Sequence, residues 1–265
     1  MVISSRHNPI VARYRDAARG ESDGVLLLDG AHLVDDALAA GVRIREAAIT
    51  ATAEDDAQLR SLIAALEDAG VEVVIVTTAV MDALSPVRSS SAIVALADRP
   101  ATDPAAAHKG TPALVVIAVD VQDPGNLGAI VRVAEAGGAT GVVAAGACAD
   151  PFGWKALRGA MGSTLRLPVS TAADAAKAVE AARAAGCRIV ATTPRDGRPL
   201  FDLRLVGPTA ILIGGEGRGL PPALIESADD RVTIPMADSV ESLNAAVTAA
   251  LLVYEARRQR TLSQQ

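Results

Sequence analysis

Aromatic side chains are scarce in this chain of 265 residues, and their scarcity limits what its core can contain. Aromatic residues make up 2% of the sequence, whereas hydrophobic residues of all kinds make up 50%. The core must therefore be built from alanine, valine, leucine and isoleucine. A chain of this length forms one large domain or two modest ones, and either can bury a core of its own.

Long apolar runs, the pattern of a signal peptide and clustered metal ligands are also missing. No run reaches the ~18–20 residues that a membrane span needs, and the N-terminus lacks the charged-then-apolar pattern of a signal peptide. We therefore expect a cytoplasmic protein with no membrane partner. Cys148 and Cys187 lie too far apart for a ligand pair, which favours two reduced core thiols. The three histidines, His7, His32 and His108, are equally scattered, so we expect no metal ion.

An excess of positive charge is missing as well, since the net charge is −6. This value argues against a protein that holds nucleic acid by bulk electrostatics, although a local basic patch can still steer RNA. The first stretch is locally basic, because Arg6, Arg13, Arg15 and Arg19 are opposed only by Asp16. Two interpretations stay open for this stretch: a solvated helix, or a basic arm that contacts phosphates.

Short apolar runs alternate with helical patterns throughout, which is typical of an α/β fold. We predict a small α/β domain over residues 1–98 and a proline-containing linker over residues 99–112. A second α/β domain follows over residues 113–265 and begins with a strand that is apolar enough to be buried on both faces. Within it the patterns predict helices over residues 126–136, 171–185 and 242–260.

The first loop that could contribute to a functional site spans residues 120–132, with the sequence DVQDPGNLGAIVR. It leaves the buried strand, turns on Pro-Gly and starts a helix, with Asn126 at or near the cap and Arg132 in the second turn. Such strand-end loops are where α/β sheets hold their ligands. Taken alone, the loop is better explained by an ordinary capped helix with a surface arginine.

The second loop spans residues 211–222, with the sequence ILIGGEGRGLPP. Its four glycines directly after a strand indicate that backbone comes close to a neighbouring group. The spacing matches neither the dinucleotide-binding pattern nor the phosphate-binding P-loop. Glu216, the acidic residue among the glycines, is either a turn former or a site residue.

The third loop spans residues 234–247, with the sequence IPMADSVESLNAAV. Glu241, Ser242 and Asn244 stand where side chains cap the exposed N–H groups of a helix. The final helix that follows carries an apolar stripe at a spacing of three to four residues, formed by Leu243, Ala246, Val247, Ala250, Leu251 and Tyr254. A stripe of this size is expected to be covered by the core and by a partner.

Together the three loops resemble the three motifs of the SpoU (TrmH-type) branch of the SPOUT methyltransferases, in the same order. The resemblance spans residues 112–260, and residues 155–163 are similar to a fourth stretch of the family. Residues 5–9 and 27–33 resemble the small substrate-binding domain that many members carry, whose fold is similar to RNA-binding ribosomal proteins. Two departures are Gly215, where members often have Asn or Ser, and Trp154, where a small residue or proline is expected.

The resemblance implies an enzyme that uses S-adenosylmethionine to methylate a ribose 2′-hydroxyl in structured ribosomal or transfer RNA. The implied fold is an α/β domain whose parallel sheet ends in a deep trefoil knot, an exception to unknotted topology. The implied assembly is a homodimer in which each site borrows residues from the neighbouring subunit. One sequence does not indicate which RNA or nucleotide is modified, nor whether the role is housekeeping or antibiotic resistance.

The resemblance also implies roles for individual residues. Arg132 is expected to act on the hydroxyl, and because arginine stays protonated we expect it to grip a phosphate and the oxygen while the proton leaves to phosphate or water. The residues expected to orient the ribose are Asn126, Glu216, Ser242 and Asn244. The expected cofactor-binding residues are Thr192, Gly214, Gly215, Gly217, Ile234, Pro235, Met236, Leu243 and Asn244. The expected RNA-binding residues are Arg6, Arg13, Arg15 and Arg132.

Two other classes of function fit the sequence less well. A catalytically dead RNA-binding module on the same scaffold would lack Arg132, Glu216 or Asn244, and all three are present. A dinucleotide-dependent dehydrogenase would need the glycine spacing that the second loop does not have.

Overall fold

The computed structural model describes residues 2–263. Its strands are β1 (Val2–Ile3), β2 (Val25–Asp29), β3 (Ile44–Thr50), β4 (Glu72–Val76), β5 (Ile93–Asp98), β6 (Leu114–Val119), β7 (Gly141–Ala145), β8 (Val169–Ala172), β9 (Arg188–Thr192), β10 (Arg198–Pro199), β11 (Thr209–Gly214) and β12 (Asp230–Thr233). Its helices are α1 (Pro9–Arg19), α2 (Ala31–Ala39), α3 (Ala57–Asp68), α4 (Thr78–Leu84), α5 (Pro124–Ala136), α6 (Trp154–Ala160), α7 (Ser163–Arg166), α8 (Ala175–Ala184), α9 (Pro222–Ser227) and α10 (Ala245–Leu262). In the part of the chain that is described, no helix is both long and apolar enough to cross a membrane.

Contacts divide the chain into two compact units. The N-terminal unit comprises Met1–Ala101 together with Phe152–Arg166, and the C-terminal unit comprises Thr102–Pro151 together with Leu167–Gln265. The N-terminal unit is built on a mixed sheet of five strands in the order β1-β4-β3-β5-β2. Trp154 of α6 packs, partly buried, against the core of this unit.

The C-terminal unit is built on a parallel sheet of seven strands, in the order β10-β12-β9-β11-β6-β7-β8. Every residue of β6 and β7 is buried, because helices cover both faces of a parallel sheet of this kind. Strand order changes direction between β6 and β11, and loops at such a switch point form the ligand crevice of open α/β sheets. The three candidate loops follow β6, β11 and β12, at the carboxyl ends of these strands.

The predicted helix over residues 171–185 is wrong at its start. Its first residues form β8, which pairs with β7 and extends the sheet, and α8 begins after Asp174, whose side chain accepts a hydrogen bond from the N–H of Ala176 (2.8 Å). Alanine-rich sequence continued the helical pattern backwards, whereas pairing with a neighbouring strand decided the conformation.

Both helices at the crevice begin elsewhere than predicted. Asp123 caps α5 and accepts from the N–H of Asn126 (2.7 Å), so Asn126 lies inside the first turn and Arg132 in the third. The cap of α10 is Asn244, whose Oδ1 accepts from the N–H groups of Ala246 (2.9 Å) and Val247 (3.3 Å). Ser242 therefore lies in the loop before the helix and does not cap it.

Candidate active site

The loops after β6 and β11 touch each other through a glycine. A Cβ atom added to Gly215 would collide with the backbone carbonyl of Asp120. Asp120 itself has a φ of 55°, in the left-handed region, and its Oδ1 accepts a hydrogen bond from the N–H of Ala147 (2.7 Å). Glycine at position 215, a departure from the family pattern in the sequence, is therefore required by the close approach of the neighbouring strand end.

The glycines further along form a tight turn. The N–H of Gly219 donates to the carbonyl of Gly215 (3.2 Å), while Gly217 and Gly219 have φ values of 84° and 64°. A Cβ on Gly214 would lie 2.5 Å from backbone atoms of Gly219 and Leu220. The backbone of the turn therefore folds back on the end of β11, and only Glu216 and Arg218 project side chains from it.

A chain of hydrogen bonds joins one side chain from each of the three loops. Asn244 Nδ2 donates to Asn126 Oδ1 at 2.9 Å. Asn126 Nδ2 in turn donates to Glu216 Oε1 at 2.5 Å. Because Asn244 Oδ1 is occupied by the backbone of α10, the orientation of both amides follows, and Glu216 is the terminal acceptor. We call Asn244, Asn126 and Glu216 the amide–carboxylate chain.

A cavity of about 480 Å³ lies beside the amide–carboxylate chain. Its walls include most of the residues expected to hold a cofactor: Thr192, Gly214, Gly215, Gly217, Ile234, Met236, Leu243 and Asn244. Glu216 and Ser242 line it too, whereas Pro235 is exposed and outside the lining. Further lining residues were not predicted. Arg218, Leu220 and Glu241 stand in the loops quoted above, and Thr193 and Pro194 directly follow Thr192. Ile225 and Thr248 are brought here by the fold alone.

Arg132 is not brought to this cavity within its own chain. It is exposed and lies six residues beyond Asn126 on α5, which corresponds to about 9 Å along the axis and a different helix face. Its guanidinium makes no hydrogen bond or ion pair with any residue in the described range 2–263. The side chain therefore remains available to a ligand or to a second subunit.

Cys148 lies close to the loop after β6 but is held as a thiol. Its Sγ accepts from the N–H of Val121 and donates towards the carbonyls of Ala118 and Ala145, at 3.3 Å in each case. Burial raises the pKa of this thiol, so it is a poor nucleophile at neutral pH. Among residues 2–263 no group of three or more His, Cys, Asp or Glu side chains could hold a metal ion.

The arginines predicted to bind RNA near the N-terminus already contact their own unit. Arg6 and Arg15 donate to the carbonyls of Ala79 (2.8 Å) and Ala83 (3.2 Å). Arg13 pairs with Glu46 at 2.7 Å, and the side-chain hydrogen bonds of this pair raise the pKa of the guanidinium. All three side chains are exposed.

The SpoU rRNA methylase family matches this chain over residues 113–254, the part that holds the three loops. The chain belongs to the SpoU rRNA methylase family. A second family, described as the N terminus of thiostrepton-resistance methylases, matches residues 1–108. These matches confirm the resemblance that the loop sequences indicated.

Relatives and solved structures of the SpoU family resemble the chain over nearly its whole length. The 23S rRNA (guanosine(2553)-2′-O)-methyltransferase RlmP of Bacillus subtilis is 32% identical over 87% of this chain and 88% of its own. The AdoMet-bound rRNA methyltransferase from Sinorhizobium meliloti has a TM-score of 0.86 and 29% identity, covering 97% of both chains. The SpoU methyltransferase AviRb from Streptomyces viridochromogenes, in complex with AdoMet, has a TM-score of 0.84 and 30% identity, covering 94% of this chain and 98% of its own.

Proposed function

We propose that this SpoU family member transfers a methyl group from S-adenosylmethionine to a ribose 2′-hydroxyl of ribosomal RNA. The observation that carries the proposal is the amide–carboxylate chain, which sets three side chains in fixed orientations beside a cavity at the switch point of a parallel sheet. Reactions of this kind depend on positioning two reactants in line, and a rigid polar network supplies that positioning.

The cavity fits S-adenosylmethionine in size and in chemistry. About 480 Å³ lies within the range of small-molecule sites. Backbone around Gly214, Ile234 and Leu243 would hold the adenine, because all three residues line the cavity and peptide groups are strong hydrogen-bonding partners. When bound, the cofactor supplies a methyl group that its sulfonium charge has already activated.

The protein's own residues then have to hold the ribose and manage one proton. The amide–carboxylate chain and Ser242 would orient the hydroxyl, since their polar atoms border the cavity. Arg132 would grip a phosphate and the nucleophilic oxygen, with the proton leaving to a phosphate oxygen or to water. As arginine stays protonated, it serves as a clamp and not as the base.

The position of Arg132 is explained if the working form is a homodimer. In its own chain this residue lies off the cavity, while α10 presents the exposed side chains of Val247, Leu251 and Tyr254, which are 47%, 41% and 50% exposed. Apolar patches of this kind are characteristic of interfaces between subunits. Arg132 of each subunit would then complete the site of the other.

The N-terminal region would recognise the RNA. Residues 1–98 would form the substrate-binding domain and residues 99–112 the linker to the methyltransferase domain over residues 113–265. Arg6, Arg13 and Arg15 keep exposed guanidinium surface that could reach phosphates beside their internal contacts. Action on ribosomal RNA would also place the work of the protein in the cytoplasm.

The test is to incubate in-vitro transcribed 23S rRNA with the chain and S-adenosylmethionine carrying a labelled methyl group. Methylated positions are mapped by alkaline hydrolysis, because a 2′-O-methyl group removes the nucleophile that cleaves the neighbouring phosphodiester. We expect protection at a defined nucleotide with the wild-type chain and none with Arg132→Ala. Labelling of transfer RNA but not of 23S rRNA would change the substrate class, and labelling of neither would overturn the proposal.

A further inference from the structure

Arg218 is the one cation among the described residues that line the cavity, and nothing in the reaction outlined above uses it. The other charged side chains of the lining are Glu216 and Glu241. Glu216 is engaged by Asn126, whereas the Arg218 guanidinium makes no hydrogen bond or ion pair with any residue from 2 to 263. An arginine without a partner at the rim of a site is available to a ligand.

The turn that carries Arg218 holds it at the mouth of the cavity. The residue stands between Gly217 and Gly219, both in the left-handed region, and the bridge between Gly215 and Gly219 closes the turn. Arg218 itself is exposed. A group placed in this way contacts a ligand that covers the opening, and RNA presented to the cavity must do so.

The negative net charge of the chain makes a local cation at the mouth of the cavity important for binding RNA. With a net charge of −6 the molecule offers RNA no general attraction, and the cavity rim adds the carboxylates of Glu216 and Glu241. A phosphate approaching this rim needs a local cation, and the fork of a guanidinium binds phosphate oxygens in pairs.

We propose that Arg218 binds a backbone phosphate of the RNA at the mouth of the cavity and so holds the RNA there. This inference rests on the proposed function and adds to it a substrate-binding residue. Arg218 makes no covalent contribution to the reaction. Its loss should therefore weaken RNA binding while leaving cofactor affinity and the maximal rate nearly unchanged.

The experiment compares Arg218→Ala, Arg218→Lys and a control, Arg204→Ala, with the wild-type chain. Arg204 is exposed in the same unit, and its replacement by alanine removes the same charge. Arg204 precedes β11, whereas Arg218 follows β11. The six residues of β11 separate the two positions by about 20 Å. Methylation of in-vitro transcribed 23S rRNA gives kcat and KM at several salt concentrations, and calorimetry gives the affinity for S-adenosylmethionine.

We expect Arg218→Ala to raise the KM for RNA about tenfold and to lower the salt slope by about 0.7–0.9, the value of one phosphate contact. Arg218→Lys should retain the salt slope and lose part of the affinity, because an ammonium keeps the charge without the fork. Arg204→Ala should match the wild-type chain.

Two results would overturn the assignment. One is an Arg218→Ala enzyme with the KM and salt slope of Arg204→Ala. The other is a loss of affinity for S-adenosylmethionine, which would mean that Arg218 binds the carboxylate of the cofactor. If the wild-type chain labels no RNA at all, the proposed function fails first and this inference falls with it.

Discussion

At the residue scale, the site depends on the direction in which two amides point. The N-terminus of α10 occupies Asn244 Oδ1, so only Nδ2 is left to face Asn126. Asn126 must then present its oxygen to Asn244 and its NH₂ group to Glu216. A helix cap thus determines the orientation of side chains in loops far away along the sequence.

This dependence predicts different effects for two substitutions of Asn244. Asn244→Asp keeps the capping oxygen but removes the donor to Asn126, so we expect near-normal stability and a fall in turnover of about tenfold or more. Asn244→Ala loses the cap as well, which should cost about 1 kcal/mol of stability and also weaken cofactor binding. Thermal unfolding, calorimetry and single-turnover methylation separate the three effects. Equal activity in Asn244→Asp and the wild-type chain would contradict the role of the amide–carboxylate chain.

Arg132 permits a test of whether sites are shared between subunits. Arg132→Ala should lower turnover by about 10²–10³ with little change in cofactor affinity, and Arg132→Lys should rescue little. If Arg132 serves the partner's site, co-expression of Arg132→Ala with Glu216→Ala restores one intact site in each mixed dimer. Random pairing would then recover about a quarter of wild-type activity. No recovery in isolated mixed dimers would place Arg132 at the site of its own chain.

At the scale of elements, α10 has two faces with different roles. Its buried face contains Ala249, Leu252 and Val253 and packs on the end of α5, where Arg257 donates to the carbonyl of Ala136 (2.7 Å). The stripe predicted from the sequence is mostly on the other side: Ala246 is buried, but Val247, Leu251 and Tyr254 are exposed. The periodicity identified an apolar surface, and packing within the chain covers a different one.

The exposed face predicts how the assembly can be disrupted. Leu251→Asp puts a charge into the proposed dimer contact and should shift the protein to a monomer of 26.9 kDa, because burying an unpaired charge is costly. Folding should be unaffected, since Leu251 is 41% exposed within the chain. Light scattering at micromolar concentration measures the mass, with Leu262→Asp at the exposed end of the same helix as a control. A wild-type chain that is already monomeric would contradict the proposal.

The carboxylate of Glu255, on the same helix, makes the stability of the protein depend on pH. Glu255 is buried and accepts hydrogen bonds from Arg258 (2.7 and 2.8 Å) and Gln259 (2.9 Å), and the bonds from Arg258 do most to lower its pKa. A lowered pKa contributes stability above the unfolded value, near 4.3, and that stability is lost as pH falls through the folded value. Glu255→Gln should therefore cost about 1 kcal/mol at pH 7. The difference between the two chains in thermal unfolding should shrink below about pH 4.

At the scale of the whole molecule, residues 152–166 belong by contact to the N-terminal unit although they lie within the C-terminal sequence. Arg166 pairs with Asp36 at 2.6 Å, and Trp154 packs on the core of that unit. All residues that line the cavity lie in the C-terminal unit. The C-terminal domain predicted from the sequence therefore includes a segment, residues 152–166, that packs in the N-terminal unit.

A chain truncated to residues 102–265 should consequently bind S-adenosylmethionine and yet be less stable. We expect an affinity within about threefold of the full chain and an unfolding temperature lower by about 5 °C, since residues 152–166 lose their packing partners. Calorimetry and thermal unfolding check the two values, and Trp154→Ala in the full chain should reproduce part of the loss. A folded fragment that binds no cofactor would contradict the assignment of the cavity.

Much of this protein could be predicted from its sequence, because the deciding forces are local. The apolar run of β6 indicated a strand buried on both faces, and the order of three polar loops after strands indicated the family and its cofactor. The residue types at the crevice were identified for the same reason, since Asn126, Glu216 and Asn244 stand in short, specific motifs. The trefoil knot, the homodimer and the roles of the N-terminal arginines stay predictions.

Tertiary structure decided which of these residues meet and why certain positions are constrained. In the amide–carboxylate chain, Asn126 bonds to Glu216 across a sequence separation of 90 positions and to Asn244 across a separation of 118. No local pattern specifies such partners. Glycine is required at position 215 because the carbonyl of Asp120 approaches from another loop. Strand β8 formed where alanine favoured a helix, because β7 offered a parallel edge. Periodicity reports how a segment can bury itself, whereas the neighbour it meets in the fold determines which face it buries and which groups it orients.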